Sequence, residues 1–294
     1  MGNRARTGIV AFVVLFAVPL VSWNKRSAVE AQNSSAQPGA IVRRSAQNLL
    51  KQIRSPTPIR FQERMEAPWG SEIRDVIFTK EGRVDRLIAV GDRPLTAAQQ
   101  KKEVDRLKAL LQRSASQTVT SEQDAETQRR LKLVAAIPTA FSYQMSGTQE
   151  SGILEFKFFP AEYFNPESRE TRVYKGMRGV IQVDPRVDQL LRVDGEIFRN
   201  VSFGWGILGR LHKGGHFRIE QREVLPNVWE ITDMDFDFTY TVFFFSQSHY
   251  ICKTSNTAYT RIDPDTRRAE AIEMLLSQST NLEAPAVEPS STVH

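Results

Sequence analysis

Cysteine is nearly absent from this sequence, because Cys252 is the only one among 294 residues. A single cysteine excludes an intrachain disulfide in any redox compartment. No cysteine lies close after the apolar N-terminal run, so we expect no N-terminus anchored through a lipid-modified cysteine. The fold must therefore be held together by packing, and a chain of this length can bury enough apolar surface for that.

Motifs of an activated nucleophile are also missing. The sequence contains no G-x-S-x-G, the strand-to-helix turn that presents a catalytic serine. Cys252 lies in the strand-like run HYICKT, where a buried apolar residue is expected rather than a reactive thiol. The sequence therefore assigns no catalytic residue and indicates that the protein is not an enzyme. An enzyme whose site is scattered over several strands is the alternative.

A glycine motif for phosphate binding is present in spacing only. Residues 204–209 read G-x-G-x-x-G, but in dinucleotide-binding proteins these glycines open a helix whose N-terminal amides bind the pyrophosphate. Here Gly214 and Gly215 would interrupt such a helix, and a strand pattern resumes at Phe217. We therefore expect no nucleotide cofactor. The glycines are expected to bend a β segment or to let two backbones approach closely.

Histidine is scarce too, with four in the chain. His212 and His216 are four residues apart, but a glycine-containing segment separates them, and Lys213 stands where zinc peptidases have a glutamate. We expect both to be solvated turn residues, and no metal is assigned. A weak transition-metal site that also uses His249 is the alternative.

A row of aspartates begins like a calcium loop. Asp233, Asp235 and Asp237 read D-x-D-x-D, but Phe238 stands at the sixth position, where the loop needs glycine. The aspartates alternate with apolar residues, which predicts a strand with one polar and one apolar side. The acidic row is expected to face water and to discourage edge-to-edge pairing.

The first 31 residues have the pattern of a signal peptide. Arg4 and Arg6 precede an apolar run from Gly8 to Val21, and Val29 and Ala31 fit a cleavage site. Basic residues between the run and that site leave an uncleaved, tilted membrane anchor as the alternative. The sequence thus predicts a protein exported to the periplasm or the medium. Membrane contact is expected only through this segment, if it is retained.

Charge argues against nucleic-acid partners. The formal net charge is +5, and it falls to +2 when residues 1–31 are removed. A charge this small over the remaining chain offers no electrostatic basis for binding nucleic acid.

The order of helix and strand patterns predicts an α+β fold. Residues 32–40 are typical of a flexible lead-in and residues 280–294 of a disordered tail. Residues 41–279 are expected to form a single domain. The predicted order is a helix, three strands, two helices at about 96–136, about six to eight antiparallel strands within 141–262, and a closing helix that Asp263 would cap.

Local signals mark several ends of these elements. Thr96, with Gln99 three residues later, is a capping-box pattern for the start of a helix. Glu81-Gly82 predicts a hairpin turn. Asp184-Pro185 and Pro226-Asn227 predict two further turns between strands.

Aromatic residues lie on the apolar sides of the strands. The candidate ligand-binding residues are Phe156, Phe158, Trp205, Trp229, Phe236 and Phe238. Ordinary core packing under the helices is one interpretation of these residues. The other is a gap between helices and sheet that accepts an acyl chain, since burying apolar surface requires no particular motif.

Two segments resemble a known family. They are TRVYKGMRGVIQVDPRVDQLLRVDGEI, followed later by GGHFRIEQREVLPNVWEITDMDFDF. The chain is similar in them to the LolA/RseB superfamily of bacterial periplasmic half-barrels, and the order of elements extends the resemblance to residues 41–276. The resemblance implies a strongly curved antiparallel sheet, or half-barrel, with helices covering the concave face. It also implies binding of lipoprotein acyl chains or a related hydrophobic ligand, without catalytic residues.

Some features depart from that family. The chain is longer than a minimal carrier, and it has paired helices at about 96–136 and an acidic strand. We expect an exported, non-enzymatic binding protein of the bacterial cell envelope, with a lipid, a lipoprotein or another envelope protein as partner. The alternative, from another functional class, is a structural or regulatory module of the cell envelope whose core is filled.

Overall fold

A computed structural model describes residues 37–116, 121–148, 151–203, 209–242 and 246–280. Over these ranges the protein is α+β, with thirteen strands in an open antiparallel sheet and four α-helices. The α+β class and the antiparallel sheet predicted from the sequence are confirmed. The predicted signal peptide lies outside the described residues, and so does the tail from residue 281.

The elements are numbered in chain order. The first part of the chain forms α1 (Pro38–Arg54), β1 (Ile59–Ala67), β2 (Gly70–Thr79), β3 (Gly82–Val90), β4 (Arg93–Pro94), α2 (Ala97–Ser116) and α3 (Ser121–Ala140). The second part forms β5 (Phe141–Thr148), β6 (Leu154–Pro160), a 3₁₀ helix (Thr171–Gly176), β7 (Met177–Asp184), β8 (Gln189–Ile197), β9 (Val201–Phe203), β10 (Gly209–Leu211), β11 (His216–Leu225), β12 (Val228–Val242), β13 (Ser246–Arg261) and α4 (Arg268–Thr280).

The chain divides into two compact units. The larger unit comprises Met1–Ser55 and Ser121–Thr254, and the smaller unit comprises Pro56–Thr120 and Ser255–His294. The single domain predicted over residues 41–279 stays a prediction. No composition shift marks the division, because each unit is assembled from two segments that are distant in the chain.

The smaller unit contains an antiparallel meander and two helices. Strands β1 to β4 pair consecutively. As predicted, α2 begins with a capping box. The backbone N–H of Gln99 donates to Thr96 Oγ1, and the backbone N–H of Thr96 donates to Gln99 Oε1. One buried cluster joins strand and helix residues, including Ile77, Leu107 and Leu275.

Two helix starts differ from the prediction. Helix α1 begins at Pro38 rather than Ile41, because proline suits the first turn of a helix, so the lead-in ends earlier than predicted. Helix α4 begins at Arg268 rather than beside Asp263. The Asp263 carboxylate instead accepts the Asp265 amide within a turn that precedes the helix.

The larger unit contains most of the sheet. Its strands lie in the order β13-β12-β11-β8-β7-β6-β5, and β10 pairs with β9 and with the end of β12. The predicted turns at Asp184-Pro185 and Pro226-Asn227 join β7 to β8 and β11 to β12, with Asn227 at a positive φ of 59°. No helix among the described residues is long and apolar enough to cross a membrane.

Candidate ligand cavity

The larger unit contains an apolar cavity of about 540 Å³ that is partly open to water. Its walls come from α3, the 3₁₀ helix and strands β5 to β12, and they are formed almost entirely by aliphatic and aromatic side chains. A volume of this size lies within the range of about 300–1,000 Å³ that small-molecule sites occupy. The cavity is therefore large enough for a ligand.

Strand β12 supplies one wall of the cavity. Alternate residues Met234, Phe236, Phe238 and Tyr240 all line it, as expected for one face of a strand. Phe236 is paired in register with Phe217 of β11, another lining residue. The first three side chains are half-buried, and Phe236 and Phe238 also pack against the core of the larger unit.

An aromatic cluster forms the facing wall. The Phe141 ring lies 4.9 Å from the Phe158 ring in an edge-to-face arrangement and 5.0 Å from the Tyr174 ring, centroid to centroid. Such pairs contribute beyond their buried area. This wall offers aromatic surface to an apolar ligand.

Two tyrosines attach the C-terminal half of α3 to the cavity. The Tyr143 hydroxyl donates to the Ile137 carbonyl oxygen at 2.7 Å, and the Tyr174 hydroxyl donates to the Leu133 carbonyl oxygen at 3.0 Å. Burial raises the pKa of both phenols well above the usual value, so both remain neutral donors. Leu133 and Ile137 themselves line the cavity.

Three charged residues are among those that line the cavity. They are Arg169 and Glu170, which precede the 3₁₀ helix, and Arg210 in the centre of β10. Arg169 and Arg210 are exposed, whereas the apolar residues deeper in the cavity are not. The cavity lining is thus mainly apolar, with few charged residues among it.

The structure separates the predicted site residues into groups. Phe158, Phe236 and Phe238 line the cavity. Phe156 is completely buried in the core of the larger unit, and Trp229 is half-buried on β12 away from the cavity lining. Trp205 lies outside the described residues. For Phe156 the arrangement corresponds to ordinary core packing.

Sequence reasoning missed several lining residues. Tyr174, Met177, Phe217 and Ile219 also line the cavity. The alternation of Phe217 and Ile219 in HFRIE was a usable signal. No sequence pattern indicated Tyr174, because this residue lies in a short 3₁₀ helix that has no recognisable periodicity.

The glycines of residues 204–209 do not precede a helix. Gly209 is the first residue of β10, which pairs with β12 and β9, so the expected continuation as a strand is confirmed. A Cβ atom at Gly209 would lie 2.9 Å from the Thr241 carbonyl oxygen, which is the predicted close approach of two backbones. Residues 204–208 lie outside the described ranges.

The histidines have separate partners. His212 Nε2 lies 2.7 Å from Thr241 Oγ1, His249 Nε2 lies 2.5 Å from Asp237 Oδ1, and exposed His216 begins β11. His212 is half-buried and hydrogen-bonded rather than solvated as expected. In the part of the chain that the structure describes, no group of three or more potential ligands is placed to hold a metal ion.

The acidic row of β12 differs from expectation in one respect. Strand β12 lies between β11 and β13, so the row cannot protect a sheet edge. Cationic neighbours offset its charge instead: Lys253 Nζ on β13 lies 3.6 Å from Asp235 Oδ2. The aspartates therefore belong to a surface of mixed charge.

Comparison with known proteins does not identify the chain. No protein-family model matches it, and no curated protein matches it. The fold and the cavity define an α+β protein with an open antiparallel sheet and an apolar cavity. The resemblance to the LolA/RseB superfamily stays a prediction.

Proposed function

We propose that this protein is an exported, non-enzymatic binding protein that holds a lipid, a lipoprotein acyl chain or another hydrophobic ligand in the cell envelope. The observation that carries the proposal is the apolar cavity of about 540 Å³ in the larger unit. Its half-buried β12 side chains, among them Phe236 and Phe238, would lose further contact with water when an apolar ligand binds.

The proposed architecture is that of the LolA/RseB half-barrels. The sheet would be strongly curved, and helices would cover its concave face. The tyrosine hydrogen bonds to α3 support this arrangement. So do the contacts of α1 with the turn between β7 and β8, where Arg44 Nε lies 2.9 Å from Asp188 Oδ1. The signal-like pattern of residues 1–31 supports export.

Apolar burial alone supplies enough free energy for such a ligand. Burying ten methylene groups contributes roughly 8 kcal/mol, at about 0.8 kcal/mol each, before the cost of association is subtracted. The lining supplies the apolar surface, and Tyr143 and Tyr174 already donate their hydroxyl groups to α3. A carrier with micromolar affinity is therefore consistent with these walls.

A cavity-filling substitution tests the proposal. Met234 lines the cavity, whereas Met145 is an exposed residue of β5. Delipidated wild-type protein is expected to bind a fluorescent fatty acid saturably. Met234→Trp should weaken that binding at least tenfold, because the indole occupies the ligand volume, whereas the matched control Met145→Trp should bind like wild type.

Two results would contradict the proposal. One is the absence of saturable binding to the delipidated wild type, which would favour a cell-envelope module that acts through its surface. The other is equal binding by both tryptophan variants. Native mass spectrometry of freshly purified protein adds an independent measurement, because a co-purified lipid would identify the ligand class.

A further inference from the structure

Strand β5 is the terminal strand of the sheet in the larger unit, and its outer edge is open. Among the described strands, β6 is the only one that pairs with β5. Five of the eight residues of β5 are exposed. An open edge presents backbone N–H and C=O groups to which a further strand can bond.

The two ends of the sheet differ in their protection against such pairing. Strand β4, at the other end, consists only of Arg93 and Pro94, and a short length, a charge and a proline each discourage pairing. Strand β5 contains neither a charged residue nor a proline. A bulge at Ser146 interrupts its pairing with β6, so the regular part of the edge comprises residues 141–145. These five residues form an edge that no charge, proline or bulge protects.

Exposed apolar side chains lie at the same edge. Met145 on β5 is 44% exposed, and Phe159 on the adjacent strand β6 is 43% exposed. Phe159 is in register with Ser142 of β5, which places it one strand from the edge. A strand added beside β5 would remove apolar surface at Met145 from water, and this removal would favour the association.

We propose that β5 pairs with β5 of a second copy of this chain, antiparallel and with the two-fold axis at Tyr143. This register places Ser142 opposite the partner's Gln144, so polar residues meet on the exposed face. It also places Phe141 opposite the partner's Met145, so apolar residues meet on the other face. A two-fold dimer of this kind is closed, because each copy covers the edge of the other.

The composition of β5 favours a second copy as the occupant of the edge. When a strand pairs with itself, every charged side chain on it is brought near its own copy, and like charges opposite each other are destabilising. Strand β5 carries no charge, so self-pairing has no such cost. The side chains of β5 offer no ion pair to an acidic or basic segment of another protein. The inference concerns the sheet edge and is independent of ligand binding in the cavity.

Single cysteines test the register of the pairing. Ser142→Cys and Gln144→Cys are made separately in the full-length protein, whose own cysteine is buried. In the proposed dimer positions 142 and 144 lie directly opposite, whereas two copies of one position are diagonal neighbours, too far apart for a disulfide. Mild oxidation of the mixed variants should give a disulfide-linked dimer, and each variant alone should give little. Absence of the linked dimer from the mixture, or equal yields in all three samples, would overturn the inference.

Charges at the same positions test the assembly in solution. Analytical ultracentrifugation of the wild type should show a monomer–dimer equilibrium. Ser142→Lys/Gln144→Lys places lysine opposite lysine at two symmetric contacts and should weaken dimerisation about tenfold. The matched control Ser142→Lys/Gln144→Glu places lysine opposite glutamate and should dimerise at least as tightly as the wild type.

Two sedimentation results would contradict the inference. One is a wild type that stays monomeric at every concentration. The other is a lysine double variant that dimerises like the wild type, which would assign the contact to another surface. If the lysine double variant does not fold, the cysteine variants still decide the question, because they add no charge to the strand.

Discussion

Gly195 is a residue at which β8 has no space for a side chain. It is paired in register with Gly179 of β7 on one side and with Phe217 of β11 on the other. A Cβ atom at Gly195 would lie 2.6 Å from Phe217 Cζ and 2.7 Å from the Arg178 carbonyl oxygen. Because Phe217 also lines the cavity, this glycine determines where a cavity wall lies.

Alanine at position 195 is expected to destabilise the protein. The methyl group must displace both the Phe217 ring and the backbone of β7, at a cost of about 1–3 kcal/mol in the free energy of unfolding. Gly147→Ala on β5 is the control, since a Cβ atom there would contact nothing within 4 Å. Urea unfolding measures the stability of both variants, and equal stability would show that the Phe217 ring and the β7 backbone both move aside without cost.

At the scale of elements, α3 forms part of the cavity wall, so the shape of the cavity depends on the position of this helix. Its apolar residues are poorly segregated to one side, and Pro138 lies within its last turn. Proline at this position removes a backbone donor, which weakens the end of the helix. The hydroxyls of Tyr143 and Tyr174, which donate to carbonyl oxygens of this segment, therefore add support that the helix itself lacks.

Removing both hydroxyls is expected to loosen this end of α3. The Tyr143→Phe/Tyr174→Phe double variant should lose about 1–3 kcal/mol of unfolding free energy, because two buried hydrogen bonds disappear while the rings remain. Hydrogen exchange in residues 133–140 should increase. Tyr163→Phe, at a tyrosine that is 91% exposed, should match the wild type in both measurements. Unchanged exchange in the double variant would show that the bonds do not hold the helix.

At the scale of the whole molecule, Glu230 links stability to pH. Burial raises the pKa of this β12 carboxyl from its ordinary 4.5 to about 7, although the positive charge of Arg130 on α3 acts in the opposite direction. The folded protein therefore holds a proton that the unfolded chain releases. Between these two pKa values, raising the pH favours the unfolded state.

The free energy of unfolding should consequently fall between about pH 4.5 and pH 7, by an amount between about 1 and 3 kcal/mol attributable to Glu230. Glu230→Gln should remove that decline and exceed the wild type in stability at pH 8. Glu162→Gln, at an exposed glutamate, should keep the wild-type profile. Urea titrations at several pH values provide the measurement, and identical profiles for wild type and Glu230→Gln would refute the assignment.

The features that the sequence determined by itself are formed by residues that lie close together along the chain. The capping box of Thr96 and Gln99, the hairpin turn at Glu81-Gly82 and the strand alternation of β12 are formed by residues a few positions apart, so local patterns predict them. The α+β class follows from the order of such patterns.

Only the tertiary structure decided which aromatic residues border the cavity. Phe156 and Phe158 have the same pattern along β6 and are buried in the same core cluster, yet only Phe158 also lines the cavity. The difference depends on where α3, the 3₁₀ helix and β12 lie. Those elements are far apart in sequence, and their spacing is determined by packing and by hydrogen bonds such as that from Tyr174 to Leu133, which no local periodicity records.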